Sequence, residues 1–261
     1  MSARVAPVLF ALAVAAVAAA PTHAAELTPL YVIPVEDRSA ATSAPTTDRD
    51  AVLQLDLTTT RPANLVASLG AAAIEADATT VRYTASRQPP RPYDANETPR
   101  WLAATFIIDH DEPDVAALRS ELNRAGSTAR ASDLVDFVAR KLRKVAGEPW
   151  EPASVTARKL RGDCTEHAVL TTALARSLGI PARVVTGIVV VRPPGEPLGA
   201  YGHAWAELRE GDRWIIADAA LGVVARQAHY LPLGLLEDEG TGFMLQLLQS
   251  QEGWVSRIVV H

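Results

Sequence analysis

Apolar residues recur three and four apart at Val115, Leu118 and Leu122, and again at Leu134, Phe137, Val138 and Leu142. This spacing puts each set on one helical face and predicts amphipathic helices over Pro113 to Ala125 and Ala131 to Val145. Leu170, Leu174 and Leu178 follow at four-residue spacing, so Thr165 to Leu178 reads as a third helix, ended by Gly179 and stopped by Pro181. The pattern then changes. Ala182 to Val191 is a nearly continuous branched run and reads as a buried strand. Tyr201 to Leu208 and Arg213 to Asp218 read as two further strands, joined through Arg209-Glu210-Gly211-Asp212. With Glu210 and Gly211 as the central turn residues, the register pairs Leu208 with Arg213 and His203 with Asp218. Upstream, Ala51 to Leu57, Thr80 to Ala85 and Trp101 to Ile108 are predicted strands and Ala63 to Asp77 a short helix. Gln88 to Pro99 is a rigid polar linker. At the far end, Phe243 to Leu248 and Val255 to Val260 predict another helix and strand that complete the sheet.

The start of the chain has a different composition. Met1-Ser2-Ala3-Arg4 precedes an alanine- and valine-rich run through Ala20, with small residues at Ala24 and Ala25. One positive charge, a modest apolar run and small residues at its end fit a signal peptide over residues 1–25. The run is short and weakly apolar for a membrane span. About 235 residues would remain after cleavage. They divide into an N-terminal region, 26–100, which begins with a Pro- and Thr-rich extended segment, and a catalytic domain, 101–261. The net charge is −5 and no basic run stands out, which argues against a nucleic-acid partner. Six histidines show no zinc-ligand spacing, and no phosphate-binding glycine loop is present, so no cofactor or metal is expected. Asp109-His110-Asp111-Glu112-Pro113-Asp114 reads as a solvated helix cap.

Cys164 is the single cysteine, so an exported chain has no internal disulfide to make with it. It follows Asp163, an N-cap residue, and Glu166 three positions later completes a capping-box pattern, which puts Cys164 at the first helical position. The unpaired N–H groups there favour a thiolate over a thiol. The hairpin register places His203 beside Asp218, and directly opposed side chains lie about 5 Å apart at Cβ. Asp218 can then hold one ring nitrogen while the other faces a thiol, which is the nucleophile, base and orienting residue of a triad. The Cys164 N–H is a candidate oxyanion donor, and Trp150 is either a second donor or a core residue.

Four blocks carry a family resemblance: Gly162-Asp163-Cys164-Thr165-Glu166-His167-Ala168, Leu178-Gly179-Ile180-Pro181-Ala182-Arg183-Val184-Val185-Thr186-Gly187, His203-Ala204-Trp205-Ala206-Glu207, and Trp214 with Asp218. In this order, between about Leu134 and Ala220, they resemble the transglutaminase-like superfamily. The resemblance implies an α+β fold with a papain-like core, its cysteine helix packed on an antiparallel sheet and preceded by a smaller N-terminal region. It also implies Cys164 as nucleophile, His203 as general base and acid, and Asp218 as orienting residue. The expected function is a periplasmic or secreted thiol enzyme acting on amide or isopeptide bonds of a peptide or protein substrate, with hydrolysis favoured. Protein-glutamine transglutaminase activity is one alternative, and a non-catalytic domain that binds peptides or assembles an envelope complex is another. No stable membrane insertion is expected once the signal is removed. Substrate, acceptor and oligomeric state are not legible in the residues.

Overall fold

The computed structural model describes residues 30–38, 54–84, 92–124, 126, 130–147, 150–192, 196–225, 229–236 and 254–261. The leader and the helix expected at Phe243 to Leu248 lie outside them.

The fold is α+β and is centred on α6 (Cys164–Ser177), whose residues from Cys164 through Arg176 are all buried. A helix apolar on most sides must be covered on most sides. Helices α3 (Pro113–Arg124) and α4 (Ala131–Lys141) cover it with the faces their spacing predicts: Val115, Leu118 and Leu122 from α3, and Leu134, Phe137 and Val138 from α4. A short helix not expected from sequence, α5 (Ala153–Lys159), joins them through Ala153 and Ala157. Gly179 ends α6 at φ +77, a left-handed conformation that glycine adopts without a Cβ clash.

The other side of α6 meets an antiparallel sheet. Strands β8 (Ala182–Val191), β9 (Gly199–Glu210), β10 (Arg213–Asp218) and β11 (Val223–Ala225) follow one another as a meander, and β12 (Tyr230–Leu235) pairs with the free side of β8. The short strand β1 (Val32–Ile33) pairs with β9 at Ala200 and Tyr201. One face of β8 and β9, built from every second residue, is shared between two layers along the length of the strands. Ala182, Val184, Ala204, Ala206 and Leu208 pack with α6, whereas Ile188, Val190 and Ala200 pack with a second sheet.

The hairpin register differs from the expected one. Glu210 pairs with Arg213 and Leu208 with Ile215, so Gly211 and Asp212 are the central residues. Gly211 has φ +66 and Asp212 is not among the positive-φ residues. Glycine thus takes the first central position, as a type II′ turn requires, and not the second. Continued along the strands, this register makes His203 and Asp218 diagonal neighbours. The shift is two residues, so both keep the same face.

The second sheet has the order β2-β13-β3-β5-β4, formed by β2 (Val35–Asp37), β13 (Arg257–Val260), β3 (Gln54–Thr58), β5 (Thr80–Thr84) and β4 (Ala73–Asp77). The strand expected at Val255 to Val260 therefore exists, but it lies between β2 and β3, away from the His203 sheet. The helix expected over Ala63 to Asp77 is cut short. Helix α1 (Pro62–Leu69) stops at Gly70, φ +64, and the remainder forms a 3-10 turn and then β4, which hairpins with β5. Trp101 to Ile108 forms no strand: Pro99 in the first turn helps start α2 (Thr98–Leu102), which buries Trp101, and the chain then runs irregularly to Ile108. The helix expected to reach Val145 ends at Lys141. Arg143–Lys144 instead forms β6, parallel to β7 (Arg161–Gly162), and this pairing holds the chain just before Cys164.

Candidate functional site

The turn into α6 is braced at three different atoms. The Thr165 N–H donates to Asp163 Oδ1 at 2.9 Å, and the Asp163 N–H donates to Glu166 Oε2 at 2.9 Å. This is the capping box read from the sequence. The third brace was not anticipated: His167 Nδ1 donates to the Asp163 carbonyl oxygen at 2.6 Å. Gly162 lies so close to Glu166 that any Cβ there would overlap its side chain. Burial, with the Asp163 charge beside it, pushes the Glu166 carboxyl up to about 8, so it carries its proton at neutral pH. Cys164 emerges from this turn almost fully buried, 1% exposed.

His203 is on β9 and Asp218 closes β10. Their side chains meet through His203 Nε2 and Asp218 Oδ2 at 2.7 Å, both fully inside the protein. The other ring nitrogen, Nδ1, has no protein hydrogen-bond partner of ordinary geometry. The Cys164 thiol lies close enough to the ring to interact with it. The structure thus brings Cys164 and Asp218 to the same His203 ring.

The electrostatics follow from this arrangement. Burial is the largest influence on His203 and disfavours the imidazolium, but the Asp218 charge, its hydrogen bond and Cys164 together overcome it, pushing His203 up to about 10. Burial likewise works against an ionised Asp218. The His203 charge and hydrogen bonds from His203, the Leu221 N–H (3.0 Å to Oδ1) and the Tyr230 hydroxyl (2.8 Å to Oδ2) outweigh it and hold the carboxyl below its ordinary range. Tyr230 keeps its proton: burial and the adjacent Asp218 raise it well above an ordinary phenol.

Tyr230 and His167 are the site residues that sequence reasoning missed. Tyr230 lies on β12, across β8 from His203, in a segment without a recognisable motif. His167 stood inside the quoted cysteine block, and its fourth position in the helix was the available signal. Trp205 lies beside the His203 ring, centroids 6.2 Å apart and planes 24° apart, and meets Tyr230 edge-on at 5.0 Å. Three other motif residues serve the scaffold. Glu207, fully buried, accepts from Arg183 Nε at 2.9 Å, and that guanidinium lies 4.0 Å from the Trp214 ring centroid. Trp150 is partly buried against the core cluster that contains Cys164. Asp109, from the acidic stretch, accepts the Ser154 N–H at 2.8 Å at the start of α5.

Comparison with known proteins bears on this arrangement. Residues 116–219, the segment that holds all three residues, match the family described as the transglutaminase-like superfamily. Among solved structures, a candidate cysteine protease from Cytophaga hutchinsonii is similar at 15% identity, over 81% of this chain and 86% of that one, with a TM-score of 0.47. The periplasmic domain of TgpA from Pseudomonas aeruginosa is similar at 22% identity in its ethylmercury-bound form, over 55% of this chain and 56% of that one, with a TM-score of 0.40. LapG from Legionella pneumophila is similar at 11% identity, over 62% of this chain and 97% of that one, with a TM-score of 0.32. No curated protein matches this chain. The fold is α+β, and the match to the transglutaminase-like superfamily runs from within α3 to just past the end of β10.

Proposed function

We propose that this protein is an exported thiol hydrolase that cleaves amide or isopeptide bonds in peptides or proteins through Cys164, His203 and Asp218. The observation that carries the reading is the buried His203 ring, held by Asp218 and within reach of Cys164, with its proton affinity raised to about 10. Such a ring accepts the thiol proton when the thiolate forms for attack. The thiolate attacks the scissile carbonyl carbon, and the carbonyl π electrons move to oxygen. The Cys164 backbone N–H, at a helix start where amides lack intrahelical acceptors, stabilises that oxyanion. As the tetrahedral intermediate collapses, the C–N bond breaks and His203 delivers its proton to the departing amine. Water, deprotonated by His203, then attacks the thioester, and the thiolate leaves. Asp218, saturated with donors, holds the ring and balances its charge throughout.

Export is supported by the charge, apolar run and small residues of positions 1–25. Among the described residues no helix is long and apolar enough to cross a membrane.

The test is turnover by purified wild type and by folded Cys164→Ala against a peptide library, with and without an added primary amine. Wild type is expected to release cleaved peptide, and the variant to lose nearly all of it, at least about 10³-fold. Amine incorporation in place of hydrolysis would move the reading to a transferase, and equal rates in the two proteins would remove Cys164 as nucleophile.

A further inference from the structure

We propose that His167 is a positioning residue that aims the Cys164 backbone N–H at the developing oxyanion by anchoring the other end of the same peptide unit. The inference rests on Cys164 being the nucleophile.

The geometry begins with one oxygen. The Asp163 carbonyl accepts two hydrogen bonds from His167, from its Nδ1 at 2.6 Å and from its backbone N–H at 3.2 Å. That carbonyl and the Cys164 N–H belong to a single peptide group, which is planar and trans. Their bonds point in opposite directions. Holding the oxygen against the helix therefore fixes where the N–H points, outward from the helix start. A peptide carbonyl that accepts hydrogen bonds also polarises its own N–H into a better donor. The remaining braces of the turn act on other atoms: the Asp163 carboxylate takes the Thr165 N–H, and Glu166 takes the Asp163 N–H.

The imidazole is suited to this task and expensive for any other. A carbonyl oxygen can only accept, so the proton must sit on Nδ1. Burial, the largest influence, and the nearby Lys144 charge lower the proton affinity of His167, against the hydrogen bond to Asp163 and the Asp218 and Asp163 charges, which raise it. It therefore stays neutral, a donor at Nδ1 with a lone pair on Nε2. That Nε2 is buried without a protein hydrogen-bond partner, and the whole side chain is inaccessible to solvent. An unpartnered buried polar atom costs about 1–3 kcal/mol. A leucine would fill the same space without that cost, so packing alone does not account for a histidine at this position, whereas the Nδ1 donor does.

The experiment separates two reactions of the same thiol. Iodoacetamide alkylates sulfur by displacement at a saturated carbon and forms no oxyanion; acylation by p-nitrophenyl acetate passes through one. Both rates would be measured on the mature protein as wild type, His167→Leu and His167→Asn, with mass spectrometry locating the adduct. The Leu variant is expected to acylate about 10- to 100-fold more slowly, below or within the range for outright loss of an oxyanion donor. Its alkylation should stay within about twofold of wild type. Asn, whose amide N–H can occupy the Nδ1 position, should restore most of the acylation rate. Unchanged acylation in the Leu variant, or equal slowing of both reactions, overturns the inference while leaving the nucleophile in place. Absence of any acylation of wild-type Cys164 overturns the nucleophile reading and this inference with it. Should the Leu variant not fold, Asn is compared with Gln, whose donor sits one atom farther out: fast acylation by Asn and slow acylation by Gln supports the inference, and equal loss in both overturns it.

Discussion

Strands β8, β9, β10 and β11 lie side by side in the order in which they leave the chain, while β13 is wedged between β2 and β3, pairing Ile258 with both Val35 and Leu57 from the opposite end of the sequence. These four strands of the first sheet pair with their neighbours in the chain. The other sheet needs partners brought together over most of the chain length, at a greater cost in loop entropy. The local sheet carries His203 and Asp218. Ile188, Val190 and Ala200, on the halves of β8 and β9 remote from α6, pack against the long-range sheet, so the same two strands serve both layers. The comparison teaches a division of labour: chemistry rests on short-range contacts of fixed register, and the long-range sheet contributes stability.

Substitution of Asp218 by Asn is the strongest attempt to break that division. The amide removes the charge that raises His203 and presents an N–H where an acceptor is needed. Turnover is expected to fall about 10³- to 10⁴-fold, as for other triads given the wrong tautomer, with circular dichroism unchanged. In wild type the imidazolium is lost only as pH rises towards about 10, and this alkaline limb should move to lower pH in the variant. Retained activity with an unmoved limb would detach Asp218 from the chemistry.

Ile258→Ala tests the other sheet. Ile258 is fully buried between β2 and β3, and truncating such a side chain costs about 2–5 kcal/mol. Denaturant unfolding should show that loss while kcat of the folded fraction stays near wild type. A large fall in kcat would show that the long-range sheet also governs the site.

Glu166→Gln should have the smallest effect and sharpen the boundary between the two roles. An unfolded carboxyl of ordinary pKa 4.5 ionises first, whereas the folded one holds its proton to about 8. The group's contribution to stability is complete below about 4.5 and is lost as pH rises to about 8. The wild-type Tm should decline across this range more steeply than that of the Gln variant, which cannot titrate. Parallel Tm profiles would contradict a neutral buried Glu166.

How much was legible in the sequence follows the same divide. The α6 start, the capping box and the long β8 were readable because each is written in consecutive residues. So was the joining of His203 with Asp218, even though the turn was placed one residue early. Parity protected that reading, because the register moved by two and left both side chains on one face. The residues missed are those whose role depends on distant strands or on a backbone atom. Nothing near Tyr230 announces that its hydroxyl reaches Asp218 from beyond β8. The Ala63 to Asp77 pattern suits a helix on composition, and only the pairing of Ala73–Asp77 with Thr80–Thr84 makes the last third of it strand. Likewise Val255 to Val260 reads as a strand without disclosing which sheet it joins.

The contact between Trp205 and His203 has an optical consequence. An imidazolium beside an indole quenches its emission more strongly than a neutral imidazole does, so the fluorescence of Trp205 reports on the proton that the neighbouring ring holds. The molecule carries its own indicator dye at the site. A stopped-flow emission trace after mixing with a thiol reagent or a peptide would follow that proton without any label attached to the protein.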